Sequence, residues 1–192
     1  LQQARVIAPA LLAGAGLRVD GLRKKRGGEL SAAAGWGWYY AGSSSEALAC
    51  FDAALADKEM SAAARSEAQV GLGLAAYAAG DYGRAAQALS KEAGRLPSKS
   101  AAWDLRCDAA TTLARAQYAT KSFEASAATY ARVLASVKEI DAYPALHAEL
   151  GWCHLELKTY GEAEKEFLAA LRLSSENETA IAGLKRLASL DK

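Results

Sequence analysis

The side chains of this chain that could do chemistry are two histidines, three cysteines and a recurring set of tyrosines and tryptophans. His147 and His154 stand seven residues apart, about 10 Å along a helix, too far to share one metal ion unaided. Cys153 adjoins His154, but neighbouring helical residues point about 100° apart, so a thiolate–imidazole pair does not form there. Cys50, Cys107 and Cys153 are widely spaced with no CxxC, and the HExxH, GxSxG and GxxxxGK signatures are absent from the sequence. Neither catalysis, a metal nor a cofactor has a residue set to rest on. The histidines read as packing groups with satisfied nitrogens. What remains is contact chemistry: Tyr39, Tyr77 and Tyr118 recur at steps of 38 and 41 residues, accompanied by Trp36, Tyr40, Arg115 and Trp152. Large, stiff rings beside an arginine are the composition of binding hot spots.

Such rings need helices to hold them, and Pro144–Asn177 shows the unit. It reads as two amphipathic helices hinged at Lys158–Gly161. In the second, Ala163, Phe167, Ala170 and Leu171 follow i, i+4, i+7, i+8, one stripe at 3.6 residues per turn. Thr159 is placed to cap that helix, with Glu162 three residues on completing a capping box, and Ser43 with Glu46 repeats the pattern. A lone helix pair cannot bury both of its stripes, so it requires neighbours.

Those neighbours are visible as repeats. Counting Pro144 as position 1, matching starts fall at Cys107, Ser66 and Gly28, at steps of 37, 41 and 38 residues, and Glu178 opens a partial fifth unit. Position 8 holds Gly35, Gly73, Ala114 and Gly151, small groups where two helices cross. Position 20 holds Ala47, Ala85, Ser126 and Ala163, again small, and position 24 holds the bulkier Phe51, Leu89, Tyr130 and Phe167. Position 16 holds Ser43, Asp81, Ser122 and Thr159, all N-cap residue types. Ser100 and Asp141 are placed to open the first helices of units three and four, with Trp103 inside the former, and Ser175–Glu178 opens a last, more polar helix to about Leu190.

With an aromatic at position 17 (Tyr82, Phe123, Tyr160) and Pro97 at position 32, the pattern resembles the tetratricopeptide repeat over residues 28–190. Units two and four match well. Unit one departs with Ala34 and Ser44, and unit three with Gln117. The resemblance implies an all-α fold, a right-handed superhelical α-solenoid of antiparallel helix pairs whose first helices line a concave groove. The expected organisation is an N-terminal helical or linker segment over 1–27, repeats over 28–65, 66–106, 107–143 and 144–177, and a capping helix over 178–192.

Helical arithmetic places positions 4, 7, 8 and 11 against the partner helix, and positions 2, 5, 9, 12 and 13 on a second stripe of the same helix. In the family this second stripe faces the groove. The expected peptide-binding residues are therefore Trp36, Tyr39, Tyr40, Leu74, Tyr77, Arg115, Tyr118 and Trp152. The competing account has the position-12 tyrosines packing on the adjacent repeat. The acidic row Glu29, Glu67 and Asp108 at position 2 is open to two readings, a basic partner or first-turn carboxylates complementing the helix dipole. The family's carboxylate clamp for an acidic chaperone tail needs Lys, Asn and Arg, where this chain has Glu67, Val70, Gly71, Leu74 and Asp108, Thr111, Thr112, Arg115. That partner is not expected.

Composition sets the outer limits. The 192 residues hold 23 basic and 22 acidic side chains, so no overall field draws the chain to nucleic acid or membrane. The odd, dispersed cysteines point to free thiols and a cytoplasmic setting, with a periplasmic or membrane-tethered one as the alternative. The chain opens on Leu1 rather than methionine, which reads as a fragment or processed product. Val6–Leu17, broken by Pro9, Gly14 and Gly16, is too short to span a bilayer. It reads as a helix packing on the first repeat, followed by a solvated loop through Arg23–Gly28, or else as the stub of a longer anchoring segment. Membrane contact is expected only if such an upstream anchor exists. The expected function is a non-enzymatic scaffold that binds a peptide or protein segment. The alternative is a structural subunit that self-associates in a larger assembly.

Overall fold

Long runs of alanine, leucine and charged residues, interrupted by short polar breaks, fold as helix after helix. The computed structural model describes residues 23–92, 105–136 and 143–190. Within them lie α1 (Arg23–Tyr40), α2 (Ser44–Ala56), α3 (Ala62–Ala78), α4 (Tyr82–Leu89), α5 (Leu105–Ala119), α6 (Phe123–Ser136), α7 (Tyr143–Glu156), α8 (Tyr160–Leu173) and α9 (Glu178–Leu190). No strand occurs among the described residues. The chain divides into two compact units, Leu1–Glu92 and Ala93–Lys192. In the first, α1 packs on α2 and α3 on α4, with α3 also against α1 and α2. In the second, α5 packs on α6 and α7 on α8, α6 joins α7, and α9 lies against both α7 and α8. Each unit is thus built of stacked helix pairs, the construction of an α-solenoid. The residues Val6–Leu17, Pro97, Ser100, Trp103 and Asp141, on which sequence expectations rest, lie outside the described residues.

The stacking follows from a size rule. Phe51 is wholly buried, wedged between Gly35 of its own pair and Gly71 of the next. A Cβ on either glycine would sit under 3.0 Å from the ring. Phe167 is held in the same way between Gly151 and Gly183, and Leu89 fills the space above Gly73. In pairs one, two and four the small residue at position 8 therefore meets the bulky one at position 24 of its own pair. A second small residue, at position 6 of the following unit, closes the other side of each phenylalanine.

Every first helix ends in one way. Gly42 (φ +80°), Gly80 (φ +81°), Lys121 (φ +61°) and Lys158 (φ +60°) share position 15 and are left-handed. The N–H of each donates to a carbonyl three residues back, and the next N–H reaches five back, as in Lys158 to Leu155 (3.0 Å) and Thr159 to His154 (2.9 Å). This is the Schellman closure. It turns the chain into the second helix within two residues.

The N-terminal caps are mixed. Asp81 accepts from the Arg84 N–H (3.0 Å) and Asn177 from that of Ala180 (2.9 Å), and Ser61 caps α3 through Ala64 (3.2 Å). The expected boxes at Ser43–Glu46 and Thr159–Glu162 do not form, because neither N-cap side chain bonds its helix. The Thr159 hydroxyl turns back over the preceding Schellman turn, donating to the His154 carbonyl (3.1 Å) and meeting His154 Nδ1 at 2.9 Å. Glu162 pairs with Lys165 instead (3.3 Å).

The loop expected through Gly27–Gly28 is part of α1. Gly28 is buried where α2 ends: its N–H donates to Asp57 Oδ2 at 2.7 Å, and a Cβ would meet Asp57 Cβ at 2.8 Å. Arg65 completes the junction by donating to the carbonyls of Leu55 (2.8 Å) and Asp57 (2.6 Å), a cation on the negative end of α2. Asp52 and Arg84 form an ion pair between α2 and α4.

Candidate functional site

The residues singled out by sequence lie on α1, α3, α5 and α7, where several of their rings pack on the partner helix of the same pair, and the two units present them differently. Position 5, expected on the open stripe, is buried in every pair (Ala32, Val70, Thr111, Ala148). The accessible stripe therefore narrows to positions 2, 9, 12 and 13.

In the first unit Trp36 is half-buried and meets Phe51 edge-on at 5.4 Å. Tyr40 stacks on the same indole at 5.9 Å with 25° between the planes, and Tyr39 meets Trp36 edge-on at 5.9 Å. The result is an aromatic column running from the core outward to Tyr40, which is 69% exposed. On α3, Tyr77 is half-buried against Tyr82 (5.3 Å). Leu74 is 6% exposed, so it underlies the surface instead of lining it.

In the second unit Tyr118 packs on Phe123 at 5.2 Å. Burial, followed by the Glu156 charge, pushes its phenol up to about 12. The position-12 rings of Tyr77 and Tyr118 are thus seated on the position-17 ring of their own pair, and only part of each is open. Trp152 lies edge-on to Phe167 (5.9 Å) and donates its indole N–H to the Thr179 carbonyl (3.2 Å), tying α9 to α7. Arg115 grips Glu149, with Nε at 3.1 Å from both carboxylate oxygens and Nη2 at 2.8 Å from Oε1. Burial with the charge of the same carboxylate drives the Tyr130 phenol far above its ordinary range.

Glu149 and Glu156 were not legible as part of this face. Glu149 stands at position 6, where Gly71 and Gly183 admit a phenylalanine. A carboxylate there, opposite a tyrosine in place of phenylalanine at position 24, is the signal that could have revealed the pair.

The remaining polar chemistry is structural. His147 Nδ1 meets Glu166 at 2.6 Å. All three cysteines are free thiols, Cys107 and Cys153 buried. Cys153 reaches Ser126 Oγ at 3.3 Å, and Ser126 in turn donates to the Ala114 carbonyl (2.7 Å). Burial raises the Cys153 thiol to about 11. Among the described residues no three His, Cys, Asp or Glu side chains converge on a metal-sized space, and no helix is long and apolar enough to cross a membrane.

Helix pairs stacked through a phenylalanine between small residues, with inner-helix faces bearing half-open rings, define a repeat scaffold. The model of the tetratricopeptide repeat matches residues 27–100 and 111–178, and the chain belongs to that family. Members of this family serve in general as protein–protein interaction scaffolds and bind protein partners, and the fold is generally a non-catalytic one. No curated protein matches the chain.

Proposed function

We propose that this chain is a non-enzymatic scaffold whose first-helix faces receive a segment of a partner protein, repeat by repeat over the divisions at 28, 66, 107 and 144. The observation that carries this reading is the outward aromatic column of the first unit. Tyr40 is stacked on Trp36 with most of its surface in water, and a large ring left in the open beside others is a feature typical of contact surfaces. Trp36, Tyr39, Tyr40 and Tyr77 make up the contact face of the first unit, with Leu74 as its floor. Arg115, Tyr118 and Trp152 make up that of the second, with Arg115 held in position by Glu149.

Tyr40→Ser tests the reading because it removes an exposed ring without opening the core. In capture from native lysate, wild type retains a partner that Tyr40→Ser loses, while the helical circular dichroism of the two is the same. Equal retention by both proteins overturns the proposal.

Self-association is the second reading, favoured by Leu168, Leu173 and Leu190, apolar side chains at least 40% exposed in the second unit. Light scattering over a range of concentrations separates the two. A mass that rises with concentration and is abolished by Leu173→Ser supports the assembly role, whereas a constant monomer mass rejects it.

A further inference from the structure

Phe51 and Phe167 each sit between a glycine of their own pair and a glycine at position 6 of the next first helix, with Trp36 or Trp152 edge-on to the ring. At both places the first helices of successive pairs pack directly, α1 on α3 and α7 on α9. The junction between the third and fourth pairs is made of other groups. Tyr130 stands where the others have phenylalanine, Glu149 where they have the position-6 glycine, and Arg115 where they have the position-9 tryptophan. The three differ together, and α5 has no contact with α7 comparable to that of α1 with α3. A glutamate side chain takes the room that glycine leaves for one backbone to approach another. What spans the gap is the Arg115–Glu149 pair, Nη2 to Oε1 at 2.8 Å, with side chains 41% and 26% exposed. An ion pair that water reaches contributes less than a ring buried in hydrocarbon. At the same junction α6 and α7 meet through two small polar groups, the Cys153 thiol donating to Ser126 Oγ at 3.3 Å, both buried.

We infer that this junction is a hinge within the second unit and that the Arg115–Glu149 pair is the latch that holds it shut. Opening draws α7 away from α6 while each helix pair keeps its own core. Phe167 stays against Gly151 and Gly183, and Ser126 keeps its bond to the Ala114 carbonyl (2.7 Å). The inference does not depend on the peptide-binding reading. Arg115 and Tyr118 belong to the pair on one side of the hinge and Trp152 to the pair on the other, so opening changes the spacing between them. Cys153 is a native reporter of that motion, because its thiol meets α6 across the junction. Cys107, wholly buried on α5, reports unfolding of the third pair.

The test follows alkylation of the native full chain by iodoacetamide at neutral pH, with each cysteine read separately by peptide mass spectrometry. In wild type Cys153 is expected to be as slow as Cys107. Arg115→Gln breaks the latch and is expected to speed Cys153 about fivefold, as the loss of one partly exposed ion pair allows, with Cys107 unchanged. Charge alone predicts the opposite. Burial, and after it the Glu149 carboxylate, holds the Cys153 thiol high, and without Arg115 that carboxylate is uncompensated, so a thiol in a closed junction should slow. Raising salt from about 0.1 M to about 1 M shortens the screening length from about 10 Å to about 3 Å. It should speed Cys153 in wild type and leave Arg115→Gln unmoved, which reads the opening without any substitution. Equal acceleration of Cys153 and Cys107 in either arm means cooperative unfolding and overturns the hinge. A Cys153 rate that is unchanged or lower in Arg115→Gln, or indifferent to salt in wild type, overturns it as well.

Discussion

Replacing Gly71 or Gly183 by alanine inserts a methyl group against the ring of Phe51 or Phe167. Neither ring can give way, because each is fully buried, so each change is expected to cost about 1–3 kcal/mol in denaturant unfolding. Gly27→Ala is the control. Its Cβ would meet nothing closer than 3.8 Å, and the better helix propensity is expected to stabilise by roughly 0.5–1 kcal/mol. At this scale the sequence was informative where a rule is steric and weak where a side chain has two choices. The small residues at position 8 and the large ones at position 24 were legible as packing positions, whereas the pairing of Gly35 with Phe51 and of Gly151 with Phe167 was not. The Thr159 hydroxyl could bond forwards or backwards, and it bonds backwards to His154. The carboxylate of Glu149 gave no sign of its role until Tyr130 and Arg115 were seen beside it. Tyr118 provides a pH test. Its folded pKa, near 12, lies above the ordinary 10. The stability it contributes is therefore complete below pH 10 and is lost as pH rises from 10 through 12. Absorbance titration of wild type against Tyr118→Phe should show one late-ionising phenol missing from the variant.

Among the elements, the left-handed residue at position 15 decides how each first helix ends. Gly42→Ala and Gly80→Ala force a Cβ into that conformation and are expected to cost about 1 kcal/mol each, read as a shift in the unfolding midpoint. Lys121→Gly and Lys158→Gly remove an existing penalty and are expected to stabilise by up to about 1 kcal/mol, offset in part by backbone entropy. Helix existence and pairing were largely legible, because the apolar period and the polar breaks recur at one register. The shared turn was not. Lysine carries no turn preference, and only the glycines at 42 and 80 hinted that Lys121 and Lys158 must be left-handed. The open stripe is narrower than a single helical projection gives, because Ala32, Val70, Thr111 and Ala148 are buried and burial depends on packing that such a projection does not contain.

For the whole molecule, thiol chemistry gives a readout of integrity. Cys50 is partly accessible, while Cys107 and Cys153 are buried. A disulfide reagent at neutral pH should modify Cys50 first, slowed because burial and then the Glu46 charge raise its thiol above the ordinary value. The other two should react only on unfolding, giving three thiols in denaturant. Immediate reaction of all three in the native protein would contradict the core described above. The choice of the first helices for the candidate contact face followed from the repeat, but its partition into an aromatic first unit and a second unit with Arg115 locked to Glu149 did not. That difference depends on which side chains meet across helices.

Because Phe167 is flanked on one side by Gly183, α9 is a wall of the chamber that holds that ring. A protease cut between residues 173 and 178 that released the last helix would leave the benzyl group and the Trp152 indole facing water. Damage at this end should therefore travel inwards, with α8 loosening next and α7 after it, like a stack of plates losing its lowest support.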